Sequence, residues 1–144
     1  MNYLLTILIP ALIVVESGGN DHLRGDNGRA VGCLQITEQC IEDVNRIYGT
    51  AYTSADRLDK TRSIEICTRY LLHYGAAYKQ ASGREPTVAV LAMIWNGGPS
   101  GYKKAATEPY VRKVQAVLAM QARERDKQAE CAVPFGGKVA SGGE

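Results

Sequence analysis

The sequence predicts a mainly α-helical domain, a bundle around one buried central helix with a small β-hairpin or loop region beside it. Three observations predict this fold. Apolar residues recur at helical spacing in three segments, two further segments are almost entirely apolar, and turn residues cluster at 25–28. A chain of 144 residues, 45% of them hydrophobic, is long enough for one domain with its own core.

The first predicted helix covers the apolar run Tyr3–Val15. It should end at Gly18-Gly19, because glycine suits the left-handed position that closes a helix. Pro10 is tolerated near a first turn or marks a kink. We expect no cleaved signal peptide, since Met1 and Asn2 carry no side-chain charge ahead of the run and the run leads straight into Glu16-Ser17-Gly18-Gly19.

The next segments predict a turn, an extended stretch and a second helix. Residues 25–28 read Gly-Asp-Asn-Gly, a pattern typical of a turn or a small hairpin. Residues 31–36 are short and apolar and predict a strand or an extended segment. Thr37 is positioned to cap a helix that Gly49 ends.

Three more helices are predicted. One runs from about Asp59 to Gln80 and closes at Gly83. Residues 87–95 are nearly all apolar, which predicts a central helix buried on all sides. Thr107 is positioned to cap the last helix.

The composition indicates how far the folded domain extends and which classes of partner it excludes. We expect a folded domain over residues 1–130 and a flexible, Gly-rich C-terminal tail over 131–144. The chain carries 17 basic and 15 acidic residues, a net charge of +2, which excludes a strongly basic nucleic-acid module. No run approaches the roughly 20 apolar residues of a membrane-spanning helix, so no membrane insertion is expected.

Glu16 is the first candidate for chemistry. It lies in the last turn of an apolar helix, where burial and the helix C-terminus both disfavour a negative charge and raise the pKa of a carboxyl group. A glutamate protonated near neutral pH can donate a proton to a leaving oxygen. The alternative interpretation is a surface glutamate that ends a helix.

Four segments occur in the order of the motifs of lysozyme-like lytic transglycosylases. Pro10–Asn20 resembles their first motif, in which an apolar helix delivers the catalytic glutamate followed by serine. Gly32–Ile36 resembles their Gly-Leu-Met-Gln motif, and Trp95–Pro99 resembles Tyr-Asn-Ala-Gly-Pro. Tyr110 falls where the family places a tyrosine close to the glutamate. The resemblance covers residues 10–118 and implies a lysozyme-like fold with Glu16 as the acid.

A second branch of the same superfamily also fits. Residues 25–36 and 95–102 resemble the invertebrate-type and phage lysozymes, which use a second carboxylate just ahead of the Gly-Gln segment. Asp26 is the matching candidate for that catalytic role. Hydrolysis takes two carboxylates, whereas a lytic transglycosylase, as the resemblance implies, needs only Glu16. Asp26 is alternatively an ordinary turn residue.

Five further residues are candidates for the substrate-binding site, each with a structural alternative, and the resemblance places Gln35, Asn96 and Tyr110 there. Gln35 would bind an N-acetyl group or satisfy nearby backbone, and Asn96 would line the cleft or cap a helix. Tyr110 would bond Glu16 or pack in the core. Trp95 would stack on a sugar or simply pack, and Ser17 would bond the glutamate or end its helix.

Together these observations predict a muramidase that cleaves the β-1,4 bond between N-acetylmuramic acid and N-acetylglucosamine in peptidoglycan strands. No cofactor or metal is expected, and the protein should be a monomer unless it belongs to a virion. It would act at the bacterial cell wall, in the periplasm, outside the cell or on a phage particle. The alternative is a catalytically silent lysozyme-fold protein that binds glycan or builds a virion.

The cysteines are less informative. Cys33, Cys40, Cys67 and Cys131 match no zinc-binding spacing and allow three pairings, and one or two disulfides would suit a protein that works outside the cytosol.

Overall fold

The computed structural model describes residues 1–132, and its architecture is mainly α with a small two-stranded sheet, as predicted. The helices are α1 (Asn2–Ser17), α2 (Glu38–Tyr48), α3 (Lys60–Ser82), α4 (Val88–Gly97) and α5 (Glu108–Cys131). Strands β1 (Arg24–Gly25) and β2 (Ala30–Val31) pair antiparallel as a hairpin. Helix α5 continues to the first residue of the predicted tail, and residues 133–144 of that tail lie outside the described residues.

Local signals end and begin most helices where the sequence predicts. Gly18 closes α1 in the left-handed conformation, at φ 61°, and Gly49 and Gly83 close α2 and α3 in the same way. The Thr37 hydroxyl accepts the Cys40 N–H at 3.3 Å and caps α2. No helix within residues 1–132 is long and apolar enough to cross a membrane.

Thr107 does not act as the predicted cap. It occupies the residue before α5, but its hydroxyl donates to the carbonyls of Gly101, at 3.1 Å, and Lys104, at 2.7 Å. The side chain is buried and therefore bonds to the preceding turn instead of the free N–H groups of the helix.

The core lies between α1, α3, α4 and α5. Helix α1 buries six apolar side chains, and α4 is fully buried only along Leu91, Ala92 and Ile94. The prediction of a central helix buried on all sides was therefore wrong in detail, because Val88, Val90 and Met93 are half-buried. The C-terminal end of α4 lines a cleft through Trp95 and Asn96.

The segment after β2 is a tight turn, not a strand. Val31 and Ile36 exchange both backbone hydrogen bonds, at 3.1 and 3.0 Å, and residues 32–35 turn between them. Gln35 has φ 51° and Gly32 has φ 84°. A non-glycine residue in the left-handed region costs free energy, so the surrounding packing must hold this turn in place.

Arg57 provides much of that packing. Its guanidinium is buried and donates to the carbonyls of Arg29 and Ile36, each at 3.2 Å, and to the carboxylate of Glu38 at 2.8 Å. One side chain thus joins the hairpin, the tight turn and the start of α2. These elements form one wall of the cleft described below.

Candidate active site

Glu16 lies at the C-terminal end of α1, where it faces the first turn of α5. The hydroxyl of Tyr110 donates a hydrogen bond of 2.7 Å to Glu16 Oε1. Burial raises the pKa of the Glu16 carboxyl, and hydrogen bonding to Tyr110 and to Trp95 opposes that rise without cancelling it. The same burial, together with the carboxylate beside it, raises the pKa of Tyr110, which therefore remains a hydrogen-bond donor.

Glu16 opens into a cleft of about 540 Å³. The cleft lies between α2, the end of α4 and the hairpin wall, which consists of the hairpin and the tight turn at residues 24–36. Five of the seven predicted site residues line this cleft: Glu16, Asp26, Gln35, Trp95 and Asn96. They come from segments spread over 80 residues of sequence, and the fold brings them together. A cleft of this volume is of the size that binds small ligands and short polymer segments.

A larger groove, of about 690 Å³, lies elsewhere along α1 and α3. Its lining is mostly apolar, for example Leu5, Ile9 and Ile64, and among residues 1–132 it includes Lys60 but no carboxyl group. Acid–base chemistry requires a titratable group with a suitable pKa, so the cleft at Glu16 is the candidate active site.

Asp26 reaches the cleft, but its environment differs from that of Glu16. Its carboxylate pairs with Arg29 at 2.9 Å, and 57% of the side chain is exposed to solvent. The residue lies at the hairpin tip, with φ 49°. Its side chain is thus largely in solvent and already bonded to Arg29, whereas a nucleophile or base needs a fixed position against the sugar.

The side chains of Gln35 and Ser17 donate hydrogen bonds to backbone carbonyl groups. Gln35 Nε2 donates to the carbonyls of Leu23, at 3.1 Å, and Gly32, at 2.9 Å, although the residue lines the cleft. The Ser17 hydroxyl donates to the carbonyl of Cys33 at 2.8 Å and is absent from the cleft lining. Ser17 therefore holds the tight turn against the end of α1, and Gln35 holds it against the segment that precedes β1.

Trp95 and Asn96 end α4 at the cleft. The indole ring of Trp95 meets the ring of Tyr70 edge-on, with 5.6 Å between centroids. Asn96 is exposed and lines the cleft. Trp95 thus contributes to an aromatic wall beside Glu16, and Asn96 offers an amide toward the space that a substrate would fill.

Asp43, Tyr70 and Cys40 are among the cleft residues that sequence reasoning did not assign to the site. Asp43, on α2, accepts a hydrogen bond of 2.7 Å from the hydroxyl of Tyr74 and pairs with Arg46 at 2.9 Å. Tyr70 and Cys40 also line the cleft. The helical spacing of Tyr70 and Tyr74 was visible in the sequence, but only the packing of α2 on α3 shows that Asp43 meets them.

The cysteines form no disulfides. All four are free thiols, so the bridges that the sequence left open are not present. Burial raises the pKa of Cys40 to about 12 and raises that of Cys67 as well, so neither thiol forms the nucleophilic thiolate near neutral pH. Within residues 1–132 no group of three or more His, Cys, Asp or Glu side chains could hold a metal ion.

Comparison with known families agrees with this geometry. Residues 1–117 match the family described as Transglycosylase SLT domain. No curated protein matches the chain. The match covers most of the chain and includes the complete cleft with Glu16 and Tyr110. The chain therefore belongs to the transglycosylase SLT domain family, the lysozyme-like lytic transglycosylases that act on the peptidoglycan of the cell wall.

Proposed function

We propose that the protein cleaves the β-1,4 bond between N-acetylmuramic acid and N-acetylglucosamine by lytic transglycosylation, with Glu16 as its general acid. The observation that carries this proposal is the environment of Glu16. Its carboxyl group is half-buried, has a raised pKa and accepts a hydrogen bond of 2.7 Å from the hydroxyl of Tyr110. A carboxyl group with a raised pKa keeps its proton to higher pH, which suits donation to a leaving oxygen.

The reaction follows from one carboxyl group used twice. Glu16 donates its proton to the glycosidic oxygen as the bond from that oxygen to C1 of the muramic acid breaks. The resulting carboxylate then takes the proton of the 6-hydroxyl group on the same sugar, whose oxygen bonds to C1. An anhydro ring forms, no water is consumed, and Glu16 regains its proton.

Hydrolysis is the second candidate, and a specific observation favours it. Two more carboxylates, Asp26 and Asp43, line the same cleft. A hydrolase would use one of them as nucleophile, stabiliser or base. Both are already paired with arginine, and Asp26 is mostly exposed, so we favour the reaction that needs Glu16 alone.

The products distinguish the two reactions. Purified peptidoglycan digested with the protein should yield fragments that end in anhydromuramic acid, which are lighter by one water than fragments with reducing ends. Mass spectrometry of the soluble muropeptides measures this difference directly. Reducing ends as the main product would establish hydrolysis and overturn transglycosylation, and no release of fragments would favour the glycan-binding or virion structural role.

The variant Tyr110→Phe tests the effect of the Tyr110 hydrogen bond on the pKa of Glu16. The hydrogen bond from Tyr110 stabilises the Glu16 carboxylate and lowers its pKa, so its loss should raise that pKa further. Since Glu16 acts in its protonated form, the alkaline limb of the pH–rate profile should move to higher pH, and the rate should fall about tenfold because the carboxyl loses its orientation.

Tyr3→Phe is the matched control for that variant. Tyr3 lies at the opposite end of α1 and is 75% exposed, so this change should leave the pH profile as it is in the wild type. An alkaline limb of Tyr110→Phe that stays in place or moves to lower pH would contradict the assigned hydrogen bond.

A further inference from the structure

Asp43 is the best-anchored carboxylate in the cleft. Its Oδ2 accepts the hydroxyl of Tyr74 at 2.7 Å, and its Oδ1 accepts Arg46 at 2.9 Å. Only 18% of the side chain is exposed, compared with 57% for Asp26. Two donors therefore hold the carboxylate of Asp43, whereas Arg29 is the donor that the structure gives to the carboxylate of Asp26.

An aromatic wall connects Asp43 with the acid. The ring of Tyr70 packs against Trp95, beside Glu16, with centroids 5.6 Å apart, and against Tyr74 with centroids 4.7 Å apart. Tyr74 in turn holds Asp43. Asp43 and Glu16 therefore line the same cleft and are connected through one continuous set of aromatic contacts.

The ionisable side chains that line the cleft include three carboxyl groups and no basic group among residues 1–132. Glu16, Asp26 and Asp43 line it, and no lysine, arginine or histidine among residues 1–132 does so. Arg46 neutralises Asp43 from the solvent side, where 67% of its own side chain is exposed. Each carboxylate oxygen accepts two hydrogen bonds, so Asp43 keeps capacity for a donor that comes from the cleft.

We infer that Asp43 is a specificity-determining residue that binds the protonated amine of an amino sugar lacking its N-acetyl group. The inference rests on the proposed glycan-cleaving function. An ammonium group is a donor without acceptors and forms a charge-assisted hydrogen bond with a fixed carboxylate, whereas an acetamido group offers a neutral N–H and a bulky acetyl group. The cleft should therefore accept partly de-N-acetylated strands.

The test measures binding in a variant that cannot turn over substrate. In the Glu16→Gln background, calorimetry at about pH 6, below the pKa of such an amine, compares tetrasaccharides of glucosamine and of N-acetylglucosamine. Adding Asp43→Asn should weaken binding of the glucosamine tetrasaccharide about tenfold, as expected for one charge-assisted hydrogen bond. The affinity for the N-acetylated tetrasaccharide should change less than about twofold.

Glu42→Gln is the matched control, because it removes the same charge from the same helix at an exposed position outside the cleft lining. It should leave both affinities unchanged. Tyr74→Phe keeps the Asp43 carboxylate but removes one anchor, and it should give a smaller loss confined to the glucosamine tetrasaccharide. Far-UV circular dichroism and thermal unfolding of each variant identify any that fails to fold.

Equal losses for both tetrasaccharides in a folded Asp43→Asn protein, or no loss for either, would overturn the inference. Neither result bears on Glu16, whose role the reaction products test on wild-type protein. Conversely, an absence of turnover on peptidoglycan would refute the proposed function and leave the binding comparison interpretable.

Discussion

Glu16→Gln should abolish the release of soluble fragments from purified cell walls. Glutamine keeps the size of the side chain and can still accept the hydrogen bond from Tyr110, but it has no acidic proton to give. General acid catalysis contributes about 10²- to 10⁴-fold to a rate, so we expect a loss in that range at every pH. Turbidity of a cell-wall suspension, followed over time, measures it.

The same variant should remain folded. Burial raises the pKa of Glu16 in the folded chain above its unfolded value, so the folded state binds the proton more tightly than the unfolded state. Stability from this difference is present at low pH and is lost as the pH rises through the folded pKa. Glutamine avoids that loss, and its thermal unfolding midpoint at neutral pH should equal or exceed that of the wild type.

Unchanged wall solubilisation by a folded Glu16→Gln protein would contradict the acid role of this residue. That result would also remove the main argument against a silent glycan-binding or virion structural protein. Reduced stability at neutral pH would instead contradict the shielded environment that we assign to the carboxyl group.

Gly32→Ala should cause the largest loss of stability of any single methyl addition in the hairpin wall. Gly32 has φ 84°, a conformation that an alanine adopts only with strain, and a Cβ at this position would overlap the backbone carbonyl of Arg57. Strain of about 1–2 kcal/mol and overpacking of about 1–3 kcal/mol add to a total of roughly 3 kcal/mol. Chemical denaturation measures the change in free energy of unfolding.

Gly28→Ala is a closely matched control because Gly28 also has φ 84° but has open space where its Cβ would lie. Only the conformational strain, about 1–2 kcal/mol, should appear in this variant. The difference between the two variants therefore isolates the close approach of the tight turn to Arg57. Equal losses would show that the contact with the Arg57 backbone contributes nothing.

Much of the local structure could be predicted from the sequence. Glycines at 18, 49 and 83 and the hydroxyl of Thr37 act over one helical turn, so their roles depend on neighbours in sequence. Thr107 shows the limit of such reasoning. Its hydroxyl had two sets of partners within reach, and burial against the preceding turn selected the one that sequence spacing does not reveal.

The candidate site was predictable in part for the same reason. Glu16 stands out because its surroundings are apolar in the sequence itself, and the link to Tyr110 came from the order of motifs. Gln35 and Ser17 belong to these motifs, yet their hydrogen bonds support the backbone of the tight turn. Asp43 belongs to no recognised motif, and a single acidic residue on an amphipathic helix gives no local sign of its partners.

The sequence by itself determined the helical elements, the ends of most of them and the placement of a carboxyl group at the apolar end of α1, because periodicity, capping and apolar context are short-range properties. Only the tertiary structure decided which carboxylates share the cleft with Glu16 and which side chains hold its wall. Those relations depend on contacts such as Tyr74 to Asp43 and Arg57 to Arg29, which join residues 28 or more positions apart. Packing of helices and loops creates such contacts, and no pattern of neighbouring residues encodes them.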